Sequence, residues 1–354
     1  MNLKKFLCVV SSFLSVFLFA EEVKLNTETK VASNDVVAEA SPVTEKPVVV
    51  SETVTSEEKK EATTGNKDKK VISPFIPLEN QVKVCTWNMR WFPSGSPVVK
   101  PAKDEYKRSE SAARFLNWQK VDIVMLQEVR SAEVVTNLVK MMERPDMKVA
   151  ACTQFPTLPT DPVPQHQNAI ITHYPVIDSG FAKWEKDGEL EPPRGYAYAV
   201  IDCDGTLTLC FSVHFKSNFI AKEEDPEKTP IVNRKTREAT ARQFVAIADK
   251  LSKKEYDGRK IEAVFLAGDF NTSIFDDNFK GEATIQTIKD GGYRDVYADV
   301  PADKRETMPA TKWHSSTVFD YIFYKGDKKL NDPYIAPKSW ISDHRLVSIK
   351  FIKK

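Results

Sequence analysis

Six short polar blocks in this chain each close an apolar run, and this punctuation constrains the fold more than any bulk property. In order they are Trp87-Asn88, Gln127-Glu128, His214, Gly268-Asp269-Phe270-Asn271, Asp320-Tyr321 and Ser342-Asp343-His344. An apolar run of roughly four to eight residues with polar bounds reads as a buried strand. The blocks therefore place carboxylates, amides and imidazoles at strand ends, where rigid backbone aims them.

The segments between the blocks fill in the elements. Residues 81–91 read as a strand with Val82, Val84, Thr86 and Asn88 on one face, because side chains alternate along a strand. Residues 103–120 have helical spacing, with Ala112, Phe115 and Leu116 as the apolar side. Residues 121–126 are a short buried strand, and 131–142 a second helix with Ser131 as N-cap and Glu133 in its first turn. Residues 168–172, 180–183, 196–203 and 206–215 read as strands of an antiparallel sheet. A long helix is expected over 233–254, a strand over 261–267, a helix over 284–289, and closing strands over 318–324 and 346–352. Two series of strands, each interrupted by helices, predict two stacked sheets with helices outside.

The ends and the charge balance bound the setting. Residues 1–20 carry Lys4 and Lys5 before an apolar stretch that ends at Ala20, the pattern of an export signal; an uncleaved membrane anchor is the alternative. Residues 21–72 hold no aromatic residue and one glycine. Such a stretch buries too little apolar surface to offset its ordering entropy and reads as a disordered tether. The chain carries 51 basic and 50 acidic residues; without the two signal lysines and the tether's 8 basic and 11 acidic residues, 41 face 39. Residues 73–354 are thus near neutral, and attraction to a polyanion must come from local patches or a metal. The four cysteines beyond the signal, Cys85, Cys152, Cys203 and Cys210, could oxidise after export, but no pairing follows from their spacing. Cys203 and Cys210 flank the hairpin turn Asp204-Gly205 without facing each other.

Each polar block has a chemical reading and a plainer one. Glu128 emerges from a buried strand and can offer hard oxygen to Mg²⁺ or Ca²⁺; it can equally be an acid at the start of the next helix. Asp269 and Asn271, two apart in an extended segment, face one way and can orient water and bind phosphate; an Asx turn is the alternative. Gly268 allows close approach of backbone or ligand. Asp343 and His344 point differently, which suits one to a metal and the other to proton transfer. His214 ends a strand and can protonate a leaving group or bind phosphate, or simply bond a neighbour. A buried Asp320 requires a partner, and His344 is a suitable one.

Taken together, the blocks resemble the endonuclease/exonuclease/phosphatase superfamily, the deoxyribonuclease I-like fold, across residues 82–352. The matching pieces are Thr86-Trp87-Asn88, Leu126-Gln127-Glu128-Val129, Asn168-Ala169-Ile170, Val213-His214-Phe215-Lys216-Ser217, Leu266-Ala267-Gly268-Asp269-Phe270-Asn271, Phe319-Asp320-Tyr321-Ile322 and Ser342-Asp343-His344. The resemblance implies a four-layered α/β sandwich of two mainly antiparallel sheets flanked by helices. It implies Mg²⁺, with Mn²⁺ or Ca²⁺ as alternatives, on Glu128 with Asn88 and Asp343 completing or supporting the site. It implies Asp320 orienting His344 as general base, Asp269 and Asn271 on the phosphate or water, and His214 on the leaving side. Arg194 matches an arginine near the substrate, and Asp269 is the rival base.

The family acts on nucleic acids, phosphoinositides and sphingomyelin, so the fold does not choose among them. Inositol phosphatases carry a Pro-Ala-Trp-Cys-Asp-Arg block where this chain has Ser316-Thr317-Val318-Phe319-Asp320-Tyr321. His214 resembles the deoxyribonuclease I-like enzymes. The expected substrate is DNA, with RNA as an alternative, in a periplasmic or extracellular setting and without a stable protein partner; any membrane contact is through the N-terminal segment. A phospholipid or inositol-phosphate phosphoesterase, or a silent binding protein, is the competing expectation. The basic run Arg234, Lys235, Arg237 and Arg242 could line a phosphodiester track or form a solvated helix face.

Overall fold

Apolar alternation on one side and helix-facing residues on the other put β1 (Gln81–Phe92) at the centre of a six-stranded sheet. In the computed structural model, residues 80–156, 166–222, 224–310 and 315–353 are described; the expected signal segment and tether lie outside them. The remaining elements follow in order: α1 (Ala102–Trp118), β2 (Ile123–Val129), α2 (Ala132–Met141), β3 (Lys148–Cys152), β4 (Gln167–Thr172), β5 (Val176–Lys183), β6 (Gly195–Cys203) and β7 (Thr206–His214). Then come α3 (Lys228–Ser252), the small hairpin β8 (Glu255–Tyr256) and β9 (Arg259–Lys260), β10 (Ala263–Asp269), α4 (Thr284–Asp290), β11 (Arg294–Asp295), β12 (Asp320–Gly326), β13 (Leu330–Ile335) and β14 (Val347–Ile352).

One sheet runs β13-β14-β1-β2-β4-β3 and the other β11-β12-β10-β7-β6-β5. Each is antiparallel except for one parallel pair, β1 with β2 and β7 with β10. The sheets stack through Val82, Val84, Ile123, Met125 and Ile170 of one against Ala197, Ala199, Cys210 and Phe265 of the other. The opposite face of the first sheet packs Trp87, Leu126 and Ile171 on Ala112, Leu116 and Leu138 of α1 and α2. The outer face of the second packs Phe211, Leu209 and Leu266 on Phe244, Ala248 and Ile288 of α3 and α4. Helix, sheet, sheet, helix is the layered architecture that strand and helix patterning predicts.

Some local expectations need revision. Residues 168–172 do not join the 196–215 strands; as β4 they pair with β2 and β3 in the first sheet. A run buried on both faces has no alternation to announce its sheet, and β4 is buried at every position. Strands β3 and β13 were unforeseen: both are short edge strands, largely uncovered, without the alternation that marks a strand. Ser131 caps α2, its side chain accepting from the Val134 N–H. The four cysteines are buried free thiols, and burial pushes Cys85, Cys152 and Cys203 up to about 12.

The expected basic track on α3 is also revised. Arg237 is buried and holds Glu282 with two hydrogen bonds, 2.9 Å from Nε and 2.6 Å from Nη2, while its Nη1 donates to the Lys216 carbonyl. Arg234 pairs with Glu238 and Arg242 with Asp187. These guanidinium groups are engaged within the fold. A basic run read along the chain could not reveal the acids that meet it from other elements.

Candidate active site

The two parallel pairs aim their C-terminal ends at one place. Across β7, β10 and β12 the register puts His214 beside Asp269 and Asp269 beside Asp320. One level of the second sheet therefore carries an imidazole and two carboxylates. Directly before Asp269, Gly268 has φ +150°, and a Cβ there would lie 1.9 Å from the Val213 carbonyl oxygen. Only glycine lets β10 approach β7 this closely. In the first sheet the parallel register sets Asn88 beside Gln127, one residue before Glu128.

Glu128 departs from strand geometry. Its φ is +56°, and the β2–β4 register shifts between Leu126 and Val129. Arg90, Trp91, Arg194 and Asn271 also have positive φ. Such backbone costs about 1–3 kcal/mol per residue and persists only where the surroundings impose it. Here the surroundings are visible. Asn88 Nδ2 donates to Glu128 Oε1 and to Asp269 Oδ2, both at 2.9 Å, and the Trp91 N–H donates to Glu128 Oε2 at 2.9 Å. One amide thus ties the acids of the two sheets together. Asn88 Oδ1 accepts from the Arg90 N–H, so Asn88 supports Glu128 through its nitrogen and does not face it with its oxygen.

His344 Nδ1 lies 2.8 Å from Asp320 Oδ2, and its Nε2 lies 3.8 Å from Asp269 Oδ2. Ser342 fixes this segment: its Oγ donates to the Asn88 carbonyl at 2.7 Å and accepts from the His344 N–H at 3.0 Å. Asp343 turns toward Arg90, its carboxylate 3.3 Å from the guanidinium Nε. His214 Nε2 stands 3.6 Å from Asp269 Oδ2 and 3.9 Å from Glu128 Oε1. Arg194 donates to the carbonyls of His214 and Phe215, placing it behind the end of β7. Asn271 is not extended as expected: with φ +50° it forms the Asx turn, its N–H donating to Asp269 Oδ1, and its Nδ2 donates to the Phe215 carbonyl. Of the two readings of Asp-Phe-Asn, the Asx turn is the one the geometry shows.

The electrostatics divide the cluster. Burial pushes Asp269 up to about 7; His344 and the Asn88 hydrogen bond pull it down, and Asp320 pushes it up. Burial works against a charge on His344, yet the Asp320 and Asp269 carboxylates outweigh it and hold the ring well above its ordinary range. His214 moves the other way, held well below by burial and by the cations around it, Arg194 foremost. A neutral His214 can donate a hydrogen bond or ligate, but it carries no extra proton for a leaving group near neutral pH.

Three further residues contribute, of which His166 went unread in the sequence. Gln127 Nε2 donates across the sheet interface to Ser212 Oγ at 2.9 Å, and Ser212 Oγ donates back to the Leu126 carbonyl, locking the two sheets together beneath the site. Trp91 places its ring edge against His166, centroids 4.4 Å apart. His166 joins Glu128 and His214, one donor atom of each lying within 4.8 Å of the others. Its only sequence signal was its place in the polar run Gln165-His166-Gln167. Beyond the cluster, the loops after β7 and β10 expose Phe219, Ile274 and Phe275, and Asn218 Nδ2 joins them by donating to the Asn271 carbonyl.

A profile of the Endonuclease/Exonuclease/phosphatase family matches residues 85–344. Solved structures share the fold at low identity. A family protein from Leptotrichia buccalis C-1013-b is 17% identical over 76% of this chain and 99% of its own, with TM-score 0.52. One from Beutenbergia cavernae DSM 12333 is 14% identical over 77% of this chain and 72% of its own, with TM-score 0.55. A humanized D. rerio TDP2 is 14% identical over 77% of this chain and 99% of its own, with TM-score 0.52. A search of the curated proteins found no match.

Proposed function

The chain belongs to the Endonuclease/Exonuclease/phosphatase family of hydrolases, and from that premise we propose an exported, divalent-metal-dependent phosphodiesterase that cuts DNA. The observation that carries the reading is the convergence of Asn88, Glu128, His214 and Asp269 from two parallel strand pairs with Asp320 at the start of β12 and His344 in the loop before β14. A buried Asp269 and a partly buried Glu128 share one amide donor, an arrangement a cation would stabilise, and hard oxygen on rigid backbone suits Mg²⁺, with Mn²⁺ or Ca²⁺ as alternatives. Glu128 would hold the ion, steadied by Asn88 and the Trp91 N–H, while Asp343, expected to complete the site, pairs with Arg90 instead. When bound, the ion supplies charge neutralisation for the phosphate and the developing oxyanion.

The chain's own groups supply the rest. Asp269 and His344 lie 3.8 Å apart and would share one proton-accepting site between them, which would take the proton of the attacking water when Asp269 is ionised. Asp320 fixes the His344 ring and stabilises its charged form. Asn271 and the neutral His214 donate to phosphate oxygens, and Arg194 holds the His214 backbone in place. Residues 1–20 support export, and the absence of the inositol-phosphatase block favours nucleic acid. A phospholipid phosphoester is the second reading, favoured by exposed Phe219, Ile274 and Phe275 beside the site.

The test is a metal titration of phosphodiester cleavage with wild type and Glu128→Gln, on plasmid DNA and on phospholipid vesicles. The reading expects DNA cleavage, with the variant needing at least tenfold more Mg²⁺ for half-maximal rate. An identical titration would remove Glu128 as ligand. Cleavage of lipid alone would transfer the proposal to the second reading.

A further inference from the structure

We propose that Glu128, His166 and His214 form a binding site for a nitrogen-accepting dication of the Zn²⁺ class, sharing Glu128 with the hard-cation site. One carboxylate and two imidazoles is a donor set of catalytic zinc centres, which keep a fourth position for water or a phosphate oxygen. Mg²⁺ prefers oxygen and keeps its waters, so a pair of imidazoles discriminates against it.

The geometry is near closure. Three donors 4.8 Å apart at most place a common centre up to ~2.8 Å from each. Zinc bonds of ~2.0–2.2 Å then require each donor to move inward by up to ~0.7 Å, within reach of side-chain rotation. The His166 and His214 rings meet edge to face, centroids 6.0 Å apart, so their planes can both turn an edge toward Glu128. The contacts around them are ring packing and bonds to the neighbouring backbone and carboxylate. Trp91 packs on His166 and its N–H fixes Glu128 Oε2. Arg194 holds the His214 carbonyl, and Asp269 Oδ2, 3.6 Å from His214 Nε2, supplies a further oxygen at the edge of the site.

The inference stands on the donor set and is independent of whether the substrate is DNA. Isothermal titration of the full, tag-free chain with Zn²⁺ and separately with Mg²⁺ tests it, using wild type, His166→Ala, His166→Gln and Glu128→Gln. One Zn²⁺ should bind wild type, at least tenfold more weakly to both His166 variants, with Mg²⁺ affinity changed less than twofold in them. Glu128→Gln should weaken both ions. Circular dichroism confirms that the variants are folded, and the glutamine variant keeps a side chain of similar reach if alanine disturbs the segment. Zn²⁺ binding equal in wild type and the His166 variants, or no Zn²⁺ binding by folded wild type, overturns the site. Mg²⁺-dependent DNA cleavage with no Zn²⁺ binding would sink this inference and leave the proposed function intact.

Discussion

Replacing Glu282 with glutamine removes the charge that matches Arg237 while keeping nearly the same shape. Both side chains are 2% exposed and their closest atoms are 2.6 Å apart, so the variant leaves a guanidinium buried without its counter-ion. Breaking a buried pair from one side costs about 3–5 kcal/mol, whereas replacing both partners with apolar groups is often neutral or better. For a domain of this size each kcal/mol lowers Tm by roughly 2–4 °C, so Glu282→Gln should melt about 10 °C below wild type. Urea unfolding of wild type, Glu282→Gln, Arg237→Met and the Arg237→Met/Glu282→Leu double variant would measure it. The singles should each lose about 3–5 kcal/mol and the double much less than their sum, a coupling that only an interacting pair produces. If Arg237 instead served substrate, Glu282→Gln would cost under about 1 kcal/mol and the double would be additive, which refutes the reasoning.

Other expectations follow from the site. Gly268→Ala puts a Cβ 1.9 Å from the Val213 carbonyl at φ +150°, so it should lower stability by several kcal/mol, on the order of other special-φ and overpacking changes; near-wild-type urea unfolding would contradict the close β7–β10 approach. Asp269 has a folded pKa raised from 3.8 to about 7. Its contribution to stability is therefore fully present below the unfolded value and is lost as pH rises through about 7. In EDTA, Asp269→Asn should gain stability relative to wild type between pH 4 and 8, with the difference growing as pH rises. A pH-independent difference in urea unfolding would show that Asp269 is not held up by burial.

The strand ends were readable because chemistry and periodicity change at the same residues. Asn88, Glu128, His214, Asp269, Asp320 and His344 each interrupt an apolar run, and a polar residue left in a buried strand needs a reason to be there. What the sequence could not show was direction. Whether Asn88 turns its oxygen or its nitrogen to Glu128 depends on the Arg90 N–H two residues on, and Asp343 faces Arg90 because of a local turn, not a motif. The α3 basic run shows the same limit: Glu282, from another element, buries and neutralises Arg237, whereas Arg234 and Arg242 stay exposed in surface pairs with Glu238 and Asp187. His166 was missed because a single histidine before a strand has no periodicity to mark it, and its partners are distant in the chain.

The central claim is hydrolysis of phosphodiesters by this cluster, and the most direct measurement is plasmid nicking by the purified protein with Mg²⁺ and with EDTA, beside His344→Ala. The account predicts nicking in Mg²⁺, none in EDTA, and loss of at least about a hundredfold in the variant with its fold unchanged by circular dichroism. Nicking that survives EDTA, or a folded His344→Ala as active as wild type, would contradict it.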